Sequence, residues 1–293
     1  MNWQAIVEQI ESATRQPFKL LKAKPLAGGD INAAYRLLAE NRSFFVKLNA
    51  PEQLTMFEAE AAGLQALAQT RAIRIPEFIV CGKTADHAFL VLEYIALNNL
   101  NPCSEQLLGQ QLAQLHRQKQ AYFGWDRDNT IGSTRQINGQ YHDWIEFWQE
   151  QRLGRQLTLA ADHGYGGRLQ MLGEKLCADL KPWFSGYRPQ PALVHGDLWC
   201  GNVAADEQGN PVIYDPACYF GDRETDLAMT ELFGGFSPAF YQAYQDSYPL
   251  DPGYASRKTL YNLYHILNHL NLFGPSYLHQ AENMLNKLLN EFQ

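Results

Sequence analysis

The sequence has few cysteines, no long apolar run and no excess of positive charge. Its five cysteines form no Cys-x-x-Cys pair, so neither a zinc site nor a disulfide framework is predicted. Its apolar runs, of which 88–92 is typical, fall far short of the roughly 18 residues that a membrane helix needs. Its formal net charge of −7 argues against a protein that binds nucleic acid by neutralising phosphates.

The first residues also lack the basic start and apolar stretch of a signal peptide. Together, these absences predict a reduced, soluble protein of the cytoplasm that binds neither nucleic acid nor a membrane. The 293 residues, of which 46% are hydrophobic and 19% charged, have an ordinary globular composition. That length is typical of about two domains.

The first part of the chain, residues 1–95, alternates short apolar runs with turn residues. An amphipathic helix is predicted over 2–14 and a second helix over 51–69, where Pro51 suits a first helical turn. Five runs of apolar and β-branched residues predict strands at 18–21, 35–38, 44–48, 78–81 and 89–95. We therefore expect an N-terminal lobe made of a five-stranded sheet and a helix.

The rest of the chain, residues 96–293, has mainly helical periodicity. The predicted helices cover 104–119, 141–161, 167–181, 223–233, 238–246, 254–272 and 276–291. Strands are predicted near 193–195 and as a hairpin of 202–204 with 212–214, turned by Gly209-Asn-Pro. The fold class is therefore α+β, with a small antiparallel-sheet lobe and a larger helical lobe.

The stretch that carries specific chemistry runs from His195 to Asp215. Asp197 and Asn202 lie five residues apart in one loop, and Asp215 follows beyond the predicted hairpin. Phosphoryl transfer needs a carboxylate that accepts the proton of the attacking hydroxyl and oxygen ligands that hold Mg²⁺ on the phosphates. We therefore predict Asp197 as the base and Asn202 and Asp215 as Mg²⁺ ligands. Two other interpretations are a turn-rich linker with capping side chains and a hydrolytic metal site that includes His195.

The sheet lobe contains candidate ATP-binding residues. Gly28 and Gly29 lie between two predicted strands, where backbone N–H groups can approach phosphate oxygens. Lys47 stands in an apolar strand, and a lysine in a buried run needs an anionic partner. Glu60 on the following helix is the predicted partner, with Glu58 as the alternative, because Glu60 shares the inward face of that helix.

Three residues at the end of the last N-terminal strand, Glu93, Tyr94 and Ile95, are predicted to hold adenine through their main chain. Trp199 lies two residues after the predicted base. Its ring could stack on a sugar or on a cationic amine, or it could pack the loop against a helix. His195 is the second candidate substrate contact, with a bracing role for the loop as the other interpretation.

The stretch His195-Gly-Asp-Leu-Trp-Cys-Gly-Asn202 resembles the HGDLWxGN motif of the fructosamine (ketosamine) 3-kinases. This family lies within the aminoglycoside and choline kinase-like small-molecule kinases. Further stretches are similar to the family, and the likeness runs from about residue 20 to residue 275. They include 28–32, 45–49, 215–217 and Phe233-Gly-Gly-Phe236.

The resemblance implies a two-lobed, protein-kinase-like fold and an ATP-dependent kinase that phosphorylates the 3-hydroxyl of ketosamines. The unstable product would release the unmodified amine, which is a protein-deglycation activity. Carried over position by position, the family's proton acceptor is Asp197, its ATP lysine is Lys47 and its metal ligands are Asn202 and Asp215. The hinge is Glu93 to Ile95.

The chain departs from a conventional protein kinase in its glycine loop and after Asp215. The loop is not G-x-G-x-x-G, Asp215 is followed by Pro-Ala, and the next predicted helix begins too soon for a long activation loop. The alternatives are a small-molecule kinase for an aminoglycoside, choline or a related alcohol, and a catalytically silent ATP-binding scaffold. The expected substrate is a free or protein-bound ketosamine, and the expected state is a monomer or weak homodimer.

Overall fold

The structure is a computed structural model, and it describes residues 3–27 and 31–291. The first elements form an antiparallel sheet with one helix on each face, here called the sheet lobe. Its elements are α1 (Gln4–Thr14), β1 (Lys22–Leu26), β2 (Ala33–Leu38), β3 (Ser43–Asn49), α2 (Leu54–Thr70), β4 (Phe78–Lys83) and β5 (Ala88–Glu93). The strand order in the sheet is β1-β2-β3-β5-β4.

The alternation of side chains along the strands decides what faces each helix. Val46 in β3 packs with α1, so Phe45 and Lys47, its neighbours in the strand, project to the side of α2. The alternation of side chains along β3 therefore directs Lys47 toward α2, the helix that carries Glu60.

The predicted first strand at 18–21 is wrong, because β1 begins at Lys22. Phe18 is instead a loop residue that fills the core beneath α1, with 1% of its surface exposed and its ring edge-on to Phe44 at 5.0 Å. Its backbone N–H donates to Glu11 Oε1 at 2.7 Å. Phe18 is therefore apolar because it packs in a core and not because it belongs to a strand, whereas three of the five residues of β1 are exposed.

The remaining elements, here called the helical lobe, are mostly helices packed around one buried core. These helices are α3 (Pro102–Leu115), α4 (Trp144–Phe147), α5 (Arg155–Asp162), α6 (Arg168–Ala178), α7 (Glu224–Leu232), α8 (Pro238–Ser247), α9 (Tyr254–Phe273) and α10 (Leu278–Asn290). A π-helical stretch, Trp148–Gly154, joins α4 to α5. None of the helices that the structure describes is long and apolar enough to span a membrane.

Short strands also lie in this lobe. They are β6 (Phe123–Trp125), β7 (Asn129–Ile131), β8 (Thr134–Gln136), β9 (Gly139–Tyr141), β10 (Ala192–Val194), β11 (Val203–Ala205), β12 (Pro211–Ile213) and β13 (Tyr219–Gly221). The predicted hairpin is confirmed as β11–β12, whereas β6 to β9 are not predicted by periodicity. Strands of three residues are too short to show a period of two.

Arg74 connects the two lobes. Its carbonyl oxygen accepts a hydrogen bond from the Ile213 backbone N–H at 3.2 Å. Its guanidinium contacts Glu93 Oε1 at 2.7 Å and Asp206 Oδ2 at 3.2 Å. The end of β5 and the β11–β12 hairpin are therefore fixed to the same side chain.

The antiparallel sheet lobe and the mainly helical lobe confirm the predicted α+β class.

Candidate active site

A cavity of about 1130 Å³ lies between the sheet lobe and the helical lobe. Most of the predicted site residues line it: Lys47, Glu60, Glu93, Tyr94, Ile95, Asp197, Trp199, Asn202 and Asp215. Gly28 and Gly29 lie outside the described residues. His195 is fully buried beneath the loop and is not part of the cavity wall. Residues separated by up to 168 positions in sequence therefore meet at one site.

Lys47 joins the two lobes electrostatically. Its Nζ contacts Glu60 Oε1 at 2.7 Å and Asp215 Oδ1 at 2.5 Å, and its side chain is 8% exposed. Burial alone would lower the pKa of Lys47, but the negative charges of Asp215 and Glu60 outweigh it and raise the pKa above its ordinary value. Lys47 is therefore a fixed cation. The structure places Glu60 on it, whereas Glu58 is exposed to solvent.

Asn202 orients the Asp197 side chain. Its Nδ2 donates to the Asp197 carbonyl oxygen at 2.8 Å and to Asp197 Oδ2 at 3.1 Å. These two contacts identify the amide nitrogen, so the Asn202 Oδ1 atom faces away from Asp197. Burial raises the pKa of Asp197 to about 7, with Asp215 and Asp226 adding to the shift and the Asn202 hydrogen bond opposing it.

His195 fixes the loop from below. Because the Asp197 backbone N–H donates to its Nδ1 at 3.2 Å, Nε2 carries the ring hydrogen and donates to the Tyr214 carbonyl oxygen at 3.0 Å. Burial lowers the pKa of His195, which favours this neutral tautomer. The ring therefore links the loop of Asp197 to the chain just before Asp215.

Asp226 in α7 is a second anchor of this loop and was not predicted from the sequence. Its carboxylate accepts from the backbone N–H groups of His195 at 2.7 Å and Gly196 at 2.9 Å, and it contacts His116 Nε2 at 3.1 Å. Burial would raise the pKa of Asp226, but these hydrogen bonds and charges lower it. The signal for Asp226 in the sequence is its position as an acidic residue directly before the apolar run Leu227-Ala-Met229.

Gly196 must be glycine for two reasons. Its φ of +83° lies in the left-handed region that residues with a side chain rarely adopt. A Cβ atom at this position would also lie 2.2 Å from the Ala217 carbonyl oxygen. The loop therefore approaches the chain after Asp215 more closely than any side chain would allow.

Asp215 also has a left-handed backbone conformation, with φ of +57°, which aspartate tolerates better than most residues. Two residues later the Ala217 N–H donates to the His195 carbonyl oxygen at 2.9 Å. The Asp215 side chain is 44% exposed, and only one of its two oxygens contacts Lys47. Its carboxylate is therefore held at the cavity with one oxygen available.

Two oxygen donors, Asn202 Oδ1 and Asp215 Oδ2, suit Mg²⁺ on a bound phosphate chain. Mg²⁺ usually takes one or two protein oxygens and completes its shell with water and phosphate oxygens. Within residues 3–27 and 31–291, no three His, Cys, Asp or Glu side chains form a separate metal-binding cluster. The two oxygens therefore fit an Mg²⁺ ion that takes its other ligands from water and phosphate.

Several rings form part of the cavity wall. This aromatic wall consists of Trp199, Phe233, His269, Phe273 and Tyr277. Trp199 is edge-on to Phe233 at 6.2 Å, and the His269 ring lies 4.8 Å from Phe233 and 5.2 Å from Tyr277. Burial lowers the pKa of His269, so its ring is uncharged at neutral pH. The wall therefore offers stacking surfaces in the same cavity that Asp197 lines.

Comparison with known proteins identifies relatives over the whole chain. The model of the family described as fructosamine kinase matches residues 2–291. A relative in Synechocystis sp., named as a probable ketoamine kinase, is 48% identical over 288 residues, which cover 98% of this chain and 97% of the relative. The chloroplastic protein-ribulosamine 3-kinase of Arabidopsis thaliana is 40% identical over 274 residues, covering 92% and 83% of the two chains.

Solved structures agree with this result. A Haemophilus somnus protein assigned as a fructosamine-3-kinase superimposes with a TM-score of 0.90 at 31% identity, over 98% of both chains. The choline kinase LicA of Streptococcus pneumoniae superimposes with a TM-score of 0.67 at 14% identity, over 98% of both chains. At that identity the second likeness shows the fold alone, which is the expected two-lobed, kinase-like arrangement.

Proposed function

The chain belongs to the fructosamine kinase family, and on that premise we propose that it transfers the terminal phosphoryl group of ATP to the 3-hydroxyl of ketosamines. The observation that supports this reaction is the meeting of Asp197, Asn202, Asp215 and the Lys47–Glu60 pair at one cavity. The relatives named above as ketoamine and ribulosamine kinases indicate the substrate class. Breakdown of the product would release the amine, which makes the activity a deglycation.

Asp197 is the proposed proton acceptor. With its Oδ2 facing the Asn202 amide, its Oδ1 is the atom that would accept the proton of the sugar hydroxyl. A carboxylate with a pKa of about 7 is matched to general-base work near neutral pH. His195 and Asp226 would position this base through the backbone contacts of its loop and would not touch the substrate.

ATP would occupy the side of the cavity that the sheet lobe forms. Lys47 would contact its phosphates, and Glu60 would hold Lys47 in place. The main chain at 93–95 would bind adenine, and the backbone N–H groups of Gly28 and Gly29 are the remaining proposed phosphate contacts. We place the boundary between the nucleotide-binding lobe, 1–95, and the catalytic lobe, 96–293, directly after this segment.

Asn202 Oδ1 and Asp215 Oδ2 are the proposed ligands of Mg²⁺. When bound there, the ion supplies positive charge that neutralises the phosphate oxygens. The aromatic wall would contact the sugar and its protonated amine, with Trp199 nearest to the base along the chain. We further propose that the protein acts in the cytoplasm, as a monomer or weak homodimer, on free or protein-bound ketosamines.

The test is ADP release with ATP and Mg²⁺ in the presence of ribulosyl-lysine, fructosyl-lysine, an aminoglycoside or choline. Asp197→Asn is measured beside Asp162→Asn, which makes the same change at an exposed aspartate of α5. Turnover that requires a ketosamine and is lost only in Asp197→Asn supports the proposal, and phosphorus NMR of the product locates the phosphate. Turnover only with the aminoglycoside or choline refutes the substrate class. Nucleotide binding without any turnover favours the scaffold.

A further inference from the structure

The β7–β8 hairpin presents two buried amide side chains to the chain that follows Asp215. Asn129 Nδ2 donates to the Cys218 carbonyl oxygen at 2.8 Å, and Gln136 Nε2 donates to the Ala217 carbonyl oxygen at 3.1 Å. Asn129 is 6% exposed and Gln136 is 2% exposed. These acceptors belong to the second and third residues after Asp215, so the hairpin holds the main chain next to that carboxylate.

The two amides are themselves fixed by further hydrogen bonds. Gln136 Nε2 also donates to Asn129 Oδ1 at 2.8 Å, and the Tyr264 hydroxyl donates to Gln136 Oε1 at 2.6 Å. Asn138 Nδ2 donates to Asn129 Oδ1 at 3.1 Å, and the buried Arg152 guanidinium holds Asn138 Oδ1 at 2.8 Å. The side-chain amide oxygen and nitrogen of Asn129, Gln136 and Asn138 all have hydrogen-bond partners, so neither Asn129 nor Gln136 can rotate without losing a buried hydrogen bond.

The opposite side of Asp215 is fixed by His195. The His195 ring donates to the Tyr214 carbonyl oxygen, and the His195 backbone carbonyl oxygen accepts from the Ala217 N–H. Asp215 therefore stands in its left-handed conformation between two segments of main chain that cannot shift independently. A conformation of this kind persists only where the surroundings determine it.

We propose that Gln136 and Asn129 are positioning residues for the metal: they fix the chain after Asp215 and thereby aim its carboxylate at the ion. An apolar side chain at position 136 would leave the Ala217 carbonyl oxygen buried without that donor. The segment would then relax, and the Asp215 oxygens would move relative to Asn202 Oδ1. The inference rests on the proposed role of Asp215 as a metal ligand.

The test is direct binding of Mn²⁺ to the protein–ADP complex, followed by electron paramagnetic resonance of the free ion. Gln136→Met keeps the length of the side chain and removes its hydrogen bonds. We expect it to weaken Mn²⁺ binding about tenfold, as outer-shell changes at metal sites do. Gln140→Met is the matched control, because Gln140 is an exposed glutamine of β9 whose Nε2 donates to Asp126 Oδ1 at 3.2 Å. It should bind Mn²⁺ like the wild type.

The same variants are compared in kinetics and in unfolding without metal. Gln136→Met should raise the Mg²⁺ concentration needed for half-maximal rate while the KM for the ketosamine stays within about twofold, because the aromatic wall is unchanged. Wild-type Mn²⁺ affinity in Gln136→Met would overturn the inference even if activity fell. Absence of Mn²⁺ binding by the wild type would overturn the metal assignment itself, and the inference with it.

A second variant decides the matter if Gln136→Met does not fold. Tyr264→Phe removes only the hydroxyl that holds Gln136 Oε1 and keeps the ring that packs near Trp148. We expect Mn²⁺ binding to weaken by about threefold, because Gln136 keeps its donors but loses its fixed orientation. An unchanged affinity in Tyr264→Phe would then refute the positioning role.

Discussion

Replacing the proposed base should make the protein more stable while it abolishes activity. Burial raises the pKa of Asp197 from its ordinary 3.8 to about 7. Ionisation of this carboxyl group therefore destabilises the folded protein relative to the unfolded chain. A shift of about 3 pKa units corresponds to roughly 4 kcal/mol, as an upper bound. Because Asp197 is only partly buried and faces the cavity, screening by water reduces this to about 2 kcal/mol.

The sign of the pH dependence follows from the same shift. Below the ordinary pKa the Asp197 carboxyl is neutral in both folded and unfolded chains, so it costs no stability. As the pH rises toward 7, the unfolded carboxyl ionises first and the folded state loses stability relative to it. Asp197→Asn should therefore raise the free energy of unfolding by about 2 kcal/mol at pH 8 and by clearly less at pH 5.

The assay is urea unfolding of both proteins at pH 5 and pH 8, without nucleotide or metal. The contrasting variant is Asp215→Asn, which removes an anionic partner of buried Lys47 and should lower the stability at pH 8. Equal stability of wild type and Asp197→Asn at pH 8 would refute the reasoning. A gain that does not change with pH would do so as well, because it could not come from ionisation.

Three further predictions address the reaction and its supports. In the wild type, kcat/KM for the ketosamine should fall as the pH drops below about 7, as a pH-rate profile will show, because the free enzyme must hold ionised Asp197. Lys47→Met should raise the KM for ATP by at least about tenfold in steady-state kinetics, while Lys83→Met, at an exposed end of β4, leaves it unchanged. Asp226→Asn should lower kcat and reduce the free energy of unfolding by about 3 kcal/mol in denaturant titrations, since one amide cannot accept from His195, Gly196 and His116 as the carboxylate does.

The chemistry of the site could be predicted from sequence because its residue types are unusual for their positions. A lysine in the apolar strand β3 demands an anion, and the spacing of Glu60 from Phe57 and Leu64 identifies the helix face that supplies it. The contact is confirmed at 2.7 Å. The roles of these residues toward ATP and metal stay predictions.

The supports of the site could not be predicted because their signals are short or depend on tertiary contacts. β7 and β8 have three residues each, so neither shows a period, and the amides of Asn129 and Gln136 resemble ordinary loop residues. Asp226 stands among acidic residues at the start of a helix, where capping is the simpler interpretation. The strand predicted at 18–21 is wrong for the opposite reason, since an apolar loop residue that packs in a core resembles a strand residue in sequence.

Arg74 contacts the chain at both ends of the proposed nucleotide site. Its guanidinium contacts Glu93 at one end. At the other end, its carbonyl oxygen accepts a hydrogen bond from Ile213 in the β11–β12 hairpin, which leads to Asp215. The distance between the proposed adenine-binding segment and the chain that leads to Asp215 therefore depends on the position of Arg74. Inserting or deleting one residue between Thr70 and Glu77 would displace Arg74 and should shift the β11–β12 hairpin relative to Glu93.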